Sequence, residues 1–140
     1  MTHTEDAQQV VRALMERGWH IAFAESCTAG LCAARLVDVP DASRVLDVSF
    51  VTYAESTKTE YLAVSPETIE RYGVVSEEVA AAMASGCAAR VGCEVAVGVT
   101  GFAGPSGGTD KAPVGTVCFG FFVGGAVTTV TRHFGAVGRA

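Results

Sequence analysis

The sequence predicts an α/β domain built on a mixed sheet, and three observations carry that expectation. Helical apolar patterns alternate with short apolar runs through the first two thirds of the chain. A run from Glu94 to Thr100 then alternates Val95, Val97 and Val99 with smaller residues, as a strand does. Last, Gly115 to Val123 and Ala126 to Phe134 read as two arms of a hairpin about Gly124-Gly125, which adds antiparallel pairing.

In chain order, Thr2 or Thr4 is the expected cap of a first helix. Ala7, Val10, Val11 and Leu14 share one face of it, and Gly18 ends it. Trp19, Ile21 and Phe23 alternate with His20 and Ala22, mostly apolar on both sides, which predicts a strand covered on both faces. The segment Ala24-Glu-Ser-Cys-Thr-Ala-Gly30 follows, and Leu31 to Val37 reads as a helix that Ser26 or Thr28 would cap. Pro40 and Asp41 mark a loop before a second expected strand, Val45 to Tyr53. A short helix is expected from Glu55 to Leu62. Ser65-Pro66-Glu67 opens another helix that stops near Gly73. Ser76-Glu77-Glu78 opens a third, with Val79, Ala80, Met83, Cys87 and Val91 on one face and Gly92 as its stop. Gly101 to Pro113 is a loop by composition. The second hairpin arm, rich in Thr with Arg132 and His133, is expected to be a solvated edge. The chain carries no internal repeat and no low-complexity linker.

Composition bounds the function. The 140 residues, 49% of them hydrophobic, suit a single domain over residues 1–140. Ten Lys and Arg against 15 Asp and Glu give a net charge of −5, and no basic run is present. Direct nucleic-acid binding is therefore not expected. Apolar stretches too short for a membrane span and an N-terminus without a basic or apolar leader point to a cytoplasmic protein with no membrane partner. Five cysteines, an odd number without a Cys-x-x-Cys pair, predict neither disulfides nor a zinc site.

The chemistry centres on Ser26. A small hydroxyl residue between a strand and a helix lies near the free N–H groups of the helix start, which favour an anion or a developing oxyanion. Ser26 is thus a candidate nucleophile, with helix capping as the other reading. Cys27 is a second candidate, since a helix start activates a thiol. His3 lies in the terminal tail, His20 inside the first strand and His133 near the chain end, so a Ser-His-Asp triad is hard to build. Lys58 is a candidate base, because a desolvated lysine amine can accept a serine proton; a solvated surface lysine is the other reading. The loop from Gly101 onward is neither a Walker A loop nor a dinucleotide fingerprint. It can serve as a ligand cover or as a plain connection.

Together these stretches resemble the C-terminal domain family of the competence/damage-inducible protein CinA, whose stand-alone members include nicotinamide-nucleotide amidases. The resemblance rests on Ala24 to Gly30, Tyr53 with Lys58, Gly73-Val-Val-Ser-Glu-Glu-Val79, Val99-Thr-Gly-Phe-Ala-Gly-Pro105, Gly107-Gly-Thr109 and Pro113-Val-Gly-Thr-Val117. It implies a three-layer α/β/α sandwich with a mixed sheet of about five strands. It also implies hydrolysis of the carboxamide of nicotinamide mononucleotide to nicotinate mononucleotide and ammonia. Ser26 would be the nucleophile, Lys58 its base, and Tyr53 an assisting hydrogen-bonding group. Thr28, Ala29, Gly30, Thr100, Gly101, Gly104, Gly107 and Gly108 would line the substrate site. The Thr28–Gly30 amides would hold either the oxyanion or the substrate phosphate. No metal or cofactor is implied, and the partner is a small-molecule nucleotide. Three departures accompany the match. Ala29 stands where the family has Gly, and Ala54-Glu55 replaces a Ser-Asn-like pair. The family's closing Gly-Asp-Arg and helix are replaced by Gly135-Ala-Val-Gly-Arg139-Ala140, where Arg139 is a candidate for the family arginine. A sheet face without that helix implies a homo-oligomer. The alternative is a catalytically inactive nucleotide-binding or protein-interaction module linked to competence or DNA damage.

Overall fold

Small side chains decide how this sheet is covered. A computed structural model describes residues 3–104, 107–109 and 112–135, and within them five strands run in the order β2-β1-β3-β4-β5. The strands are β1 (Ile21–Glu25), β2 (Phe50–Val51), β3 (Val95–Gly101), β4 (Thr116–Val123) and β5 (Ala126–His133). β1 pairs parallel with both β2 and β3, whereas β3, β4 and β5 pair antiparallel, so the sheet is mixed as expected. The helices are α1 (His3–Arg17), α2 (Leu31–Val37), α3 (Glu55–Leu62), α4 (Pro66–Tyr72) and α5 (Glu77–Val91).

Alternation along β1 separates two cores, which makes the domain three-layered. Ile21 and Phe23 pack with Val11, Leu14 and Leu36 from α1 and α2 on one face. Ala22 and Ala24 pack with Leu62, Val79, Met83 and Cys87 from α3 and α5 on the other. The second face is lined by Ala22, Ala24, Ala96, Gly98 and Gly120, and α5 answers with Ala80, Ala84 and Ala88. Gly98 and Gly120 are cross-strand partners beneath α5. A Cβ on Gly98 would lie 2.8 Å from the Ala84 nitrogen, and one on Gly120 would lie 2.7 Å from the Ala81 nitrogen. Backbone cannot yield as a side chain can. Gly120→Ala is therefore expected to destabilise the domain by about 2–3 kcal/mol, read as a fall in the urea midpoint. An unchanged midpoint would mean that α5 can lift off the sheet at no cost.

Several local expectations are corrected. The second strand is two residues long rather than Val45 to Tyr53. Ala42–Arg44 forms a 3-10 turn, and Leu46 makes only an isolated bridge to Ile21. The cause is side-chain competition: Ser49 Oγ accepts the Phe23 N–H at 3.1 Å, and Asp47 turns out to His20 Nδ1 at 2.8 Å. Thr4 lies inside α1 rather than capping it, and Thr2 falls outside the described residues. Ser65 holds the cap position of α4, but its hydroxyl donates to Glu67 instead of accepting from the helix. Ser76 caps α5 in the expected way, accepting the Val79 N–H at 3.2 Å. β5 is the edge, yet Thr129 and Thr131 point beneath α5 and donate to Glu77. Those two hydroxyls hold the Glu77 carboxyl below the usual carboxylate range. Pro105, Lys111 and the 136–140 segment with Arg139 lie outside the described residues. Among the described residues no helix is long and apolar enough to cross a membrane.

Candidate active site

The candidate site sits at the carboxyl ends of β1 and β3. β2 lies on one side of β1 and β3 on the other, so the chain reverses its winding here, where open α/β sheets leave a crevice. A cavity of about 240 Å³ opens there, lined by Ser26, Tyr53, Lys58, Thr100 and residues 101–104.

Lys58 is the informative member. It is fully buried, which overturns the reading of a solvated surface lysine. The cause is its place in α3, on the same side as Leu62, which carries both side chains toward the sheet. Its Nζ donates to the carbonyls of Thr52 at 2.6 Å and Tyr53 at 3.3 Å, and lies 3.0 Å from Ser26 Oγ. Among the described residues it has no carboxylate partner. Burial pushes its pKa below the ordinary lysine value of 10.5, and the nearby charges of Glu55 and Cys27 oppose that only in part. A neutral amine keeps two N–H donors and one lone pair. Two carbonyls and a hydroxyl that donates complement that set, and the same three oxygens can accept from an ammonium.

Ser26 follows β1 and is itself buried. Its carbonyl accepts the Ala29 N–H at 3.0 Å, closing a tight turn with Ala29 at φ 52° and Gly30 at φ 101°. An alanine in the left-handed region is strained. Ala29→Gly is expected to stabilise the domain by about 1 kcal/mol, a rise in Tm of about 3 °C. No rise would mean that the turn imposes no strain.

Neither Ser26 nor Thr28 caps α2. Gly30 occupies the cap position, and Glu25 supplies the acceptor from the preceding strand. Glu25 has no exposed surface; its Oε1 accepts from Thr28 Oγ1 (2.6 Å), Gly30 N (3.2 Å) and Cys32 N (3.0 Å), and its Oε2 accepts from Ala33 N (3.0 Å). The Gly30 and Ala29 amides are thus spent within the chain, one on Glu25 and one on Ser26. Thr28, Ala29 and Gly30 do not line the cavity. Strand parity carried the signal for Glu25: it falls on the Ile21 and Phe23 face, which points to α2.

The remaining candidates divide. Thr100 lines the cavity and its hydroxyl donates to the Val74 carbonyl at 2.8 Å. Gly101 and Gly104 line it too. Gly107 and Gly108 do not line the cavity themselves: Gly107 lies beside Phe102, which does, and Gly108 lies beside Pro113 and Val114. Tyr53 lines the mouth with an exposed ring, and its carbonyl rather than its phenol meets Lys58. Cys27 is buried at the cavity wall, and Cys32 is pushed up to about 12 by burial, then by the Glu25 charge. His20 lies at the opposite end of β1, about 17 Å away over five residues, and bonds Asp47. His133 bonds Thr116 on the far strand pair. A second groove, of about 690 Å³ between α3 and α4, shares Glu55 and Val74 with the first.

The chain is similar to known proteins over nearly its whole length. The CinA C-terminal domain family matches residues 3–140. A CinA-like protein of Mycobacterium marinum is 51% identical over 126 residues, which are 87% of this chain and 29% of that protein. The chain spans under a third of several such relatives. Nicotinamide-nucleotide amidohydrolase PncC of Enterobacter agglomerans is 46% identical over 90% of this chain and 77% of its own length. The crystal structure of competence/damage inducible protein CihA from Agrobacterium tumefaciens superposes with a TM-score of 0.92 at 37% identity, covering 98% of this chain and 84% of that one.

Proposed function

The chain belongs to the CinA C-terminal domain family, and from that premise we propose that it hydrolyses the carboxamide of nicotinamide mononucleotide through Ser26 and Lys58. The observation that carries the reading is the buried Lys58 amine 3.0 Å from Ser26 Oγ, held by two carbonyls and by no carboxylate among the described residues. The likeness to the amidohydrolase of Enterobacter agglomerans supports the substrate.

In this mechanism Lys58 takes the Ser26 proton as Oγ attacks the amide carbon. The tetrahedral adduct collapses as the ammonium of Lys58 returns that proton to the leaving nitrogen. Ammonia departs and an ester to Ser26 remains. Water then adds to the ester with Lys58 again the base, releasing the carboxylate product and free Ser26. Tyr53 contributes through its carbonyl, which orients the amine. The reacting amide occupies the cavity beside Ser26, and the adjoining groove has room for the rest of the nucleotide.

The test is ammonia release from nicotinamide mononucleotide by the purified protein, with nicotinate mononucleotide identified as the second product. Binding of the mononucleotide without any ammonia would favour the inactive ligand-binding module instead.

A further inference from the structure

We propose that Glu25 is a positioning residue for Ser26: its carboxylate is an internal anion that fills the start of α2 and fixes the serine turn within reach of Lys58. The proposal builds on the amide-hydrolysis reading for its turnover measurement alone.

The carboxylate reaches across the turn. Residue 25 belongs to the sheet, and its four donors belong to residues 28 to 33, so Ser26 lies between the two anchored ends. All four partners donate, which suits a carboxylate with no proton of its own. None is a cation, so among the described residues it is hydrogen bonds and the helix start that offset its desolvation. An ordinary Ser or Thr cap at position 30 would serve a seven-residue helix with no such burial. A buried anion in its place ties the helix to the strand end instead.

The main chain of the same residue holds the base. The Glu25 carbonyl accepts the Thr52 N–H at 2.8 Å, and the Thr52 carbonyl accepts from Lys58 Nζ at 2.6 Å. Lys58 Nζ reaches Ser26 Oγ at 3.0 Å, and the Ser26 peptide closes the ring back to Glu25. Nucleophile and base are therefore located from one residue, the serine by its side chain and the lysine by its backbone. Loss of the side chain frees the turn of Ala29 and Gly30, whose positive φ values it helps to hold. Only the serine should then be displaced.

Glu25→Ala tests this, because it leaves four donors facing a space shaped for a small carboxylate. Two readings are taken with and without formate: ammonia release, and the rate at which phenylmethylsulfonyl fluoride labels Ser26, with Ser26→Ala as the blank. Both rates are expected to fall about 10²-fold, as for a misplaced nucleophile, with KM little changed. Formate is expected to restore much of each, and chloride neither. A labelling rate near that of the parent protein would overturn the proposal. So would formate that raises Tm of the variant without restoring the rates, since the role would then be structural only. If Glu25→Ala does not fold, Thr28→Val removes one donor alone and is expected to slow labelling several-fold, with Thr28→Ser at the parent rate. Parent-rate labelling in Thr28→Val would then count against it. Should the parent protein label at Ser26 in a Glu25-dependent way yet release no ammonia, the substrate reading fails and the positioning role stands.

Discussion

Lys58→Arg is expected to lose about 10²-fold or more in kcat, the scale of a general base removed, and to be nearly as impaired as Lys58→Met. Arginine keeps the positive charge but does not deprotonate in any useful range. The distinction matters because the same lysine could act by charge alone. A lysine that merely held an anionic substrate would be largely replaced by arginine, with the change falling on KM. The pH profile supplies a second measurement. The neutral amine is the active form, so kcat/KM of the parent protein should rise with pH through the Lys58 pKa in the free enzyme. Desolvation lowers that pKa, so the rise should be centred below 10.5. A Lys58→Arg protein with near-parent kcat would remove Lys58 from the chemistry.

Ser26→Ala is expected to cost turnover on the order of 10⁴-fold or more while leaving affinity for the mononucleotide close to that of the parent protein. The hydroxyl is one small part of a wall also built from Thr100 and residues 101–104. Calorimetric binding and ammonia release on the same preparation separate the two effects. Cys27→Ala is the control, expected to stay active, since the Lys58 amine is hydrogen-bonded to Ser26 Oγ. Persistence of turnover in Ser26→Ala together with its loss in Cys27→Ala would transfer the nucleophile to the thiol.

The fold was legible where local pattern and tertiary burial agree. Trp19, Ile21 and Phe23 against His20 and Ala22 marked a doubly covered strand, which runs Ile21–Glu25 and so begins two residues later, and Ser76 with Gly92 bounded α5. The Gly124-Gly125 turn has positive φ at both residues, as its hairpin requires. The second strand was overread, because Ser49 and Asp47 compete for hydrogen bonds in a way that residue type alone does not reveal. Ser26 and Lys58 were nameable from sequence, but spacing cannot tell a buried lysine from a solvated one. That depends on which way α3 lies against the sheet. Glu25 was missed for a related reason. A carboxylate is expected outside, but both faces of β1 are covered, and parity only decides that Glu25 meets the start of α2.

The buried amine of Lys58 also couples folding to proton binding. The unfolded chain takes up a proton at this residue below about 10.4, whereas the folded chain resists until its lower pKa. Between those values the unfolded state binds more protons, so stability rises with pH across that window. Below the folded pKa the full penalty is carried, and the native state bears a charge it would rather shed. The difference in urea midpoint between the parent protein and Lys58→Met, followed across pH, should therefore change through the window and flatten on either side. A difference independent of pH would mean that the amine is protonated equally in both states. The acidity that readies this lysine for a proton thus makes the domain less stable in the pH range below it.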